Sequence, residues 1–163
     1  MGKQNVRRES LHELTEGPYY KVGSPERISI AESGTTGEKI FIEGRVLDSK
    51  GSPIEGAWLD FWQADGNGKY DNAGYNLRGH QYTDKTGSYR LETVVPSMYG
   101  FRSPHIHVKL RANFQSPIIT TQLFFPEKDR NKADPLFDPT LVMSVNKSAE
   151  GKQARFDFTV DIG

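Results

Sequence analysis

Two histidines with the spacing of metal ligands lie in the middle of the chain. His105 and His107 fall in the segment HIHVKL, whose apolar pattern predicts a β-strand. Residues two apart on a strand point to the same face, so we expect the two imidazoles to stand side by side. The spacing indicates a pair of metal ligands, and it also fits an exposed pair in a binding groove or two hydrogen-bonded core residues.

Two tyrosines near this pair offer a second kind of ligand. Tyr99 lies six residues before His105, and Tyr70 follows a turn at residues 65–68. An ordinary tyrosine has a pKa of about 10, so only a strongly Lewis-acidic ion, such as trivalent iron, would hold it as a phenolate at neutral pH. Tyr75 is close to Tyr70 in the sequence and is its main rival for this role.

The composition excludes several other chemistries. The sequence contains no cysteine, which rules out disulfides, thiolate metal sites and a cysteine nucleophile. It has neither an H-E-x-x-H nor a G-x-S-x-G pattern, which mark zinc proteases and serine hydrolases. Lysine plus arginine and aspartate plus glutamate both number 21, so the formal net charge is zero. We therefore expect no nucleic-acid partner.

Membrane association is not expected either. No apolar run approaches the roughly 20 residues that a membrane helix needs. The N-terminal segment is charged throughout and has no apolar signal core. These observations predict a cytoplasmic protein.

Short strands are the elements that must position the candidate ligands. Period-two alternation, broken by turn signals, predicts about seven strands and no long helix. The clearest of them cover residues 39–47, 57–63, 88–93, 105–110, 118–125 and 154–160. This pattern predicts an all-β fold, an antiparallel β-sandwich. We expect a single domain, with an irregular arm and loop over residues 1–38 and the sandwich body over 39–163.

The same pattern makes predictions for individual side chains. Trp58 and Trp62 alternate along one predicted strand and are expected in the sandwich core. The arm at residues 1–16, with His12, is expected to be exposed. Three cations could meet a substrate carboxylate but are expected to be solvated, namely Lys21, Arg27 and Arg78.

Five segments of the sequence share their residues with one known family. They are TEGPYY (Thr15–Tyr20), GRVLDSKGSPIEGAWLDFWQADGNGKY (Gly44–Tyr70), RGHQYTDKTGSYRLETVVP (Arg78–Pro96), YGFRSPHIHVKL (Tyr99–Leu110) and TQLFF (Thr121–Phe125). Together they resemble the intradiol ring-cleavage dioxygenases, with two tyrosines, two histidines, an arginine and a glutamine in the expected order. The short chain is most similar to a catalytic domain of the protocatechuate type.

The resemblance implies a non-haem Fe(III) centre. Its ligands would be Tyr70, Tyr99, His105 and His107, with Tyr99 and His107 axial and the other two equatorial beside a hydroxide. Two tyrosinates and one hydroxide balance the charge of the ferric ion. The site would thus be neutral, as a buried site requires if it is to avoid a large desolvation cost.

The resemblance also implies roles for residues around the metal. Tyr99 would leave the iron on substrate binding and act as a base. Arg102 would stabilise charge that builds on the substrate, and Gln122 would hydrogen-bond near the same atoms. The pocket wall would include three residues of the upstream segment, Gly17, Pro18 and Tyr19.

The implied reaction inserts both atoms of O2 between the two hydroxylated carbons of a catechol-type ring, to give a cis,cis-muconate-type dicarboxylate. The expected partners are thus a small catechol and O2, in a protein that is compatible with a homo-oligomer. One alternative is a non-catalytic binding module like the transthyretin-like or carboxypeptidase-regulatory-like sandwiches, which share the turn patterns. Another is a divalent-metal hydrolase that uses only the histidine pair.

Overall fold

The computed structural model describes residues 9–162, so the first eight residues of the predicted arm and Gly163 lie outside the described residues. Nine strands and one short α-helix form within this range. They are β1 (Lys39–Asp48), β2 (Trp58–Gln63), β3 (Arg78–Tyr82), β4 (Ser88–Val94), β5 (His105–Arg111), β6 (Ile119–Phe124), α1 (Lys128–Ala133), β7 (Ser144–Ser148), β8 (Gly151–Arg155) and β9 (Phe158–Val160). No helix within residues 9–162 is long and apolar enough to cross a membrane.

The strands form two sheets, and the predicted all-β sandwich is confirmed. One sheet has the order β3-β2-β5-β6, with every neighbouring pair antiparallel. The other has the order β4-β1-β8-β7, and β9 also pairs with β1. Two pairings depart from the predicted antiparallel arrangement, because β8 and β9 both run parallel to β1. They reach β1 by a long connection, so no hairpin forces them to run the other way.

The strand predicted at residues 154–160 is interrupted and forms the end of β8 and all of β9. The interruption is at Phe156, which lies beside Gly44. A Cβ added at Gly44 would lie 1.8 Å from the carbonyl oxygen of Phe156, so only glycine lets the two backbones meet. The Phe156 amide donates to the Glu43 carbonyl (3.1 Å), and Asp157 accepts from the Arg45 amide (2.9 Å). The chain therefore continues along β1 as β9 after this crossing point.

Apolar side chains from the inner faces of both sheets form the core. Leu59 and Phe61 of β2 pack there, against residues such as Ile42 and Leu91. Trp58 and Trp62 lie on the other face of β2, outside the cluster between the sheets. Trp62 is buried as predicted, at 1% exposed, whereas Trp58 is only half-buried. Asp60 shares that outer face, where Tyr20 and Ser24 donate to its carboxylate at 2.9 and 2.7 Å. A buried carboxylate needs such donors, so the face that carries it cannot be the apolar one.

The described part of the arm, residues 9–16, is hydrogen-bonded to the sandwich. Most of its residues are exposed as predicted, but Leu11, His12 and Leu14 are partly covered. The Leu11 amide donates to the Thr159 carbonyl (2.8 Å) and the Leu14 amide to the Thr120 carbonyl (3.0 Å). His12 is half-buried and is bonded to Asp138 at 2.6 Å. The arm thus leads the chain across β6 toward one end of the β3-β2-β5-β6 sheet, where the predicted ligands lie.

Candidate metal centre

The two histidines lie at the start of β5, on its outer face. His105 pairs with Phe124 and His107 with Gln122 of β6, while Trp62 of β2 faces His107 from the other side. Both histidines are buried, and their Nε2 atoms are 3.1 Å apart. The side-by-side arrangement that the spacing predicts is therefore present, in a buried position at the edge of the sandwich.

Each imidazole is held by a different neighbour. His105 Nδ1 bonds to the carbonyl oxygen of Ser103 at 2.6 Å, so Nδ1 carries the proton and Nε2 keeps its lone pair. The indole of Trp62 is stacked on the ring of His107, with 4.7 Å between centroids and 7° between planes. The two Nε2 atoms thus point toward each other. Only His105 has the hydrogen-bonded Nδ1 that typically orients a metal ligand, since His107 Nδ1 is buried without a partner among the described residues.

Tyr70 completes a close group of three donor atoms. Its hydroxyl lies 2.9 Å from His107 Nε2 and 3.5 Å from His105 Nε2. Its rival Tyr75 donates instead to the Val22 carbonyl at 2.9 Å, away from the histidines. The ligand position expected from the sequence is therefore occupied by Tyr70 and not by Tyr75.

Tyr99 lies at the open side of this group. Its side chain is 40% exposed, and its ring meets that of Tyr70 edge-on, with centroids 5.8 Å apart. Within residues 9–162, its hydroxyl is hydrogen-bonded to that of Tyr19 only. Tyr19 in turn is stacked on Tyr70 at 4.4 Å between centroids. The structure thus brings Tyr99 next to Tyr70, with Tyr19 in contact with both rings.

Arg102 and Gln122 lie together beside the histidines. The Arg102 guanidinium donates through Nη2 to Gln122 Oε1. Gln122 is fully buried and donates to the Thr15 carbonyl at 3.1 Å, so it also holds the arm. Of the expected pocket wall, Gly17 faces His107, since a Cβ added there would lie 3.7 Å from the His107 ring, whereas Pro18 is exposed.

Burial sets the charge states in this group. It lowers the pKa of His105 to about 4 and that of His107 well below its usual value, with the nearby charge of Arg102 adding to both shifts. Both imidazoles are therefore neutral at neutral pH. Burial also raises the pKa of Tyr70 above its usual value, although the charges of Arg102 and Arg78 oppose that shift. Tyr70 thus becomes a phenolate only beside a strong cation.

The donor set fits a ferric ion. Metal bonds of about 2.0–2.1 Å at right angles place neighbouring donor atoms roughly 3 Å apart, close to the separations in this group. Within residues 9–162, no cluster of three or more histidines, aspartates or glutamates could hold a metal. The Tyr70 oxygen is the further donor that lies beside the histidine pair, and phenolate oxygen favours a trivalent ion over zinc.

Comparisons with known proteins show the family of the chain. A family model described as Dioxygenase matches residues 15–162. The chain is 37% identical over 94 residues to a catechol 1,2-dioxygenase of Pseudomonas sp., an alignment that covers 52% of this chain and 31% of the relative. The chain belongs to the intradiol dioxygenase family.

Other intradiol dioxygenases match over longer stretches. The protocatechuate 3,4-dioxygenase beta chain of Burkholderia cepacia is 31% identical over 121 residues, which cover 64% of this chain and 52% of the relative. The chain thus spans between about a third and a half of these curated relatives. A dioxygenase domain of a carbohydrate-binding fusion protein from Streptomyces sp. SirexAA-E is 43% identical, with a TM-score of 0.91, and covers 95% of this chain and 100% of that chain.

Three cations near the candidate metal centre differ from the sequence-based expectation that they are solvated. Arg78, predicted to be solvated, is 2% exposed and donates to the carbonyl oxygens of Tyr19 and Asp71. Lys21 and Arg27 are also partly covered, since each donates to main-chain carbonyls. No pattern in the sequence marks Asp134, whose buried carboxylate lies 2.9 Å from Arg102 Nε. The two residues are 32 positions apart in the chain.

Proposed function

We propose that the protein is an Fe(III)-dependent intradiol dioxygenase. It would bind iron through Tyr70, Tyr99, His105 and His107 and insert both atoms of O2 between the hydroxylated carbons of a catechol-type substrate. The product would be a cis,cis-muconate-type dicarboxylate. The observation that carries the proposal is the buried convergence of one tyrosine hydroxyl and two imidazole Nε2 atoms within 3.5 Å of one another.

The histidines supply lone pairs to this site. When bound, a ferric ion would supply the Lewis acidity that holds a catecholate and the redox character that reaction with O2 requires. His105 and His107 bring no charge, because their burial keeps them neutral. The charge balance therefore depends on the tyrosines and on the substrate.

The two tyrosines are placed for different tasks. Tyr70 is largely covered by the stacked ring of Tyr19 and is suited to remain a ligand throughout. Tyr99 is 40% exposed at the opening, where its oxygen can accept a proton from an entering catechol hydroxyl. The hydroxyl of Tyr19 is bonded to that oxygen and orients it. These environments support the roles that the resemblance implies for the two residues.

Arg102 and Gln122 would orient the substrate. The guanidinium keeps its charge at any working pH, and its Nη1 atom makes no hydrogen bond to any described residue. It can therefore donate to a substrate oxygen while Nε and Nη2 stay bound to Asp134 and Gln122. Gln122 thereby couples the guanidinium to the arm that carries Gly17, Pro18 and Tyr19.

The relatives support a small catechol as the substrate class. They include proteins named as catechol, protocatechuate and hydroxyquinol dioxygenases, all of which take catechol-type rings. The family match and the tyrosine ligands both disfavour the binding-module and zinc-hydrolase alternatives. The homo-oligomer and the cytoplasmic location stay predictions.

The test is made on the purified full chain reconstituted with ferric ion. We expect one iron per chain, a visible tyrosinate-to-iron absorption band that shifts when catechol is added under nitrogen, and oxygen uptake with a product that contains two added oxygen atoms. A protein that stays colourless and takes up no oxygen would contradict the proposal.

A matched pair of variants tests the ligand assignment. Tyr70→Phe removes the buried phenol oxygen and should abolish or shift the visible band, with oxygen uptake falling at least about 100-fold, as for loss of an essential group. Tyr75→Phe removes a phenol oxygen of the same loop that faces away from the histidines and should keep the band and the activity. An unchanged spectrum in Tyr70→Phe would assign the ligand elsewhere.

A further inference from the structure

A cluster of three buried polar residues lies behind the candidate metal centre and contacts none of the donor atoms of Tyr70 and His107. Ser103, Asn131 and Asp134 are 1%, 3% and 4% exposed. Ser103 comes from the loop before β5, and the other two come from α1 and its C-terminal end. Buried polar groups of this kind are costly unless each finds partners, so their hydrogen bonds show what the cluster holds.

Ser103 is fixed from two sides. Its hydroxyl is bonded to Asn131 Oδ1, and its amide donates to Asp134 Oδ2 at 2.9 Å. Asn131 is anchored in turn, since its Nδ2 donates to the Phe125 carbonyl at 2.7 Å. The peptide at Ser103 therefore cannot rotate without breaking buried hydrogen bonds.

The carbonyl of Ser103 belongs to the next peptide unit, Ser103–Pro104, and it accepts the proton of His105 Nδ1 at 2.6 Å. The orientation of the Ser103 carbonyl thus decides which ring nitrogen of His105 bears the proton. If the carbonyl turned away, Nδ1–H would lose its acceptor and the ring would be free to rotate or to carry its proton on Nε2. A protonated Nε2 has no lone pair for a metal.

Asp134 also holds Arg102. The Arg102 Nε donates to both carboxylate oxygens, at 3.1 and 2.9 Å, and the Leu136 amide donates to Oδ1 at 2.9 Å. The Asp134 side chain is fully buried. A carboxylate is the one side chain of this size that can accept at both oxygens at once.

The short helix α1 explains how one segment contacts both Ser103 and Arg102. Asn131 and Asp134 are three residues apart, and the Asp134 amide closes the turn onto the Asn131 carbonyl at 3.1 Å. Residues with this spacing lie on one side of a helical turn. Pro135 follows at once and ends the helix, so both side chains face the loop at residues 102–103.

We propose that Asp134, with Asn131 and Ser103, forms a positioning cluster that fixes the Nδ1–H tautomer of His105 and the orientation of Arg102. None of the three residues would touch substrate or metal. Their effect would pass through one backbone carbonyl and one guanidinium. The proposal deepens the proposed function and, for its metal readout, rests on it.

Two variants test the cluster, each with the full chain. Asp134→Asn puts an amide NH2 where the Arg102, Ser103 and Leu136 donors need an acceptor, whichever way the amide is turned. Ser103→Ala removes only the hydroxyl and is the milder change. Asp129→Asn, an exposed carboxylate of the same helix, is the matched control.

The first readout is the tautomer of His105 in the metal-free protein, from long-range proton–nitrogen NMR of histidine labelled with nitrogen-15. We expect Nδ1–H in the unmodified protein and in Asp129→Asn, and a loss of this single tautomer in Asp134→Asn. Ser103→Ala should show a smaller change in the same direction. This measurement needs no iron, so it decides the proposal even if the proposed function fails.

The second readout is the affinity for ferric ion and the kinetics with catechol. Residues that orient metal ligands typically change affinity or activity 10–100-fold, and we expect a weakening in that range for Asp134→Asn. Because Arg102 would also lose its anchor, kcat should fall more than KM rises. Circular dichroism checks folding, and if Asp134→Asn does not fold, Ser103→Ala decides.

The proposal would be overturned if the folded variants kept the Nδ1–H tautomer of His105 and bound iron within about twofold of the unmodified protein. Failure of the unmodified protein to bind ferric ion, with the tautomer result as expected, would instead overturn the proposed function and leave the positioning cluster in place.

Discussion

Arg78 is a buried cation whose hydrogen bonds go to main-chain oxygens. Its Nε donates to the Asp71 carbonyl at 3.1 Å, and its Nη1 donates to the Tyr19 carbonyl. These two carbonyls belong to the segments that carry the stacked rings of Tyr19 and Tyr70. The guanidinium therefore joins the arm to the loop beneath the candidate metal centre.

Replacement of Arg78 by methionine should destabilise the fold by about 1–3 kcal/mol, because it leaves these two carbonyl oxygens without a donor. Urea unfolding, with the slope unchanged, measures the difference. Arg90→Met, an exposed arginine of the neighbouring sheet, should change stability by less than about 0.5 kcal/mol. Equal effects of the two substitutions would show that Arg78 does not bridge the segments.

Residue spacing predicted the placement of the two histidines better than that of the residues that hold them. The i, i+2 rule alone places His105 and His107 on one face, since strand geometry is local. Trp62 is stacked on His107, and Asp134 would orient His105 through Ser103. Both are contacts between distant segments of the chain. No pattern in the sequence marks such contacts, because only the packed fold creates them.

At the scale of elements, alternation predicted the strands whose two faces differ in burial. β1, β2, β4, β5 and β6 all lie where period-two patterns place them, within a few residues. β3 was missed because it is buried on both faces over most of its length. β7 was missed, and β8 was predicted only at its last two residues, because both strands are largely polar and exposed. Alternation cannot identify a strand with no contrast between its faces.

The segment that begins with the arm covers one side of the candidate metal centre, where Gly17 faces His107 and Tyr19 is stacked on Tyr70. The Leu14 amide donates to the Thr120 carbonyl at 3.0 Å. The carbonyl of the next residue, Thr15, accepts from Gln122 at 3.1 Å. The docking of the arm therefore sets the position of Tyr19, five residues after Leu14.

Substitution Leu14→Pro should loosen the arm, because proline has no amide proton to donate. Faster hydrogen exchange at the Leu11 amide, which donates to Thr159, should report this, together with a several-fold rise in KM for catechol. Leu14→Ala keeps the amide and should leave exchange at Leu11 largely unchanged. If the two variants behave alike, the side chain and not the amide hydrogen bond anchors the arm.

At the scale of the whole molecule, two kinds of histidine give opposite pH dependences. The pKa of His12 is raised by its hydrogen bonds to Asp138 and Glu9, so its contribution to stability is full below about pH 6.5 and is lost as the pH rises through the folded-state value. His105 and His107 have lowered pKa values because of burial. Their neutral state favours folding above about pH 6.5, and this advantage is lost as the pH falls.

In metal-free protein, His105 and His107 should therefore cause most of the fall in the free energy of unfolding as the pH is lowered. Between about pH 6.5 and pH 4 the unfolded chain takes up protons that folded His105 and His107 cannot. For His105, whose folded pKa is about 4, this lowers the free energy of unfolding by roughly 3 kcal/mol. Urea unfolding across this range, after removal of metal with a chelator, measures the loss.

His107→Gln cannot titrate and should flatten the slope of the free energy of unfolding against pH. His12→Gln should steepen the decline, because it removes a contribution that grows toward acid pH. A His107→Gln slope equal to that of the unmodified protein would mean that the folded state can protonate His107, and the lone pair proposed for the metal would then not be protected by burial.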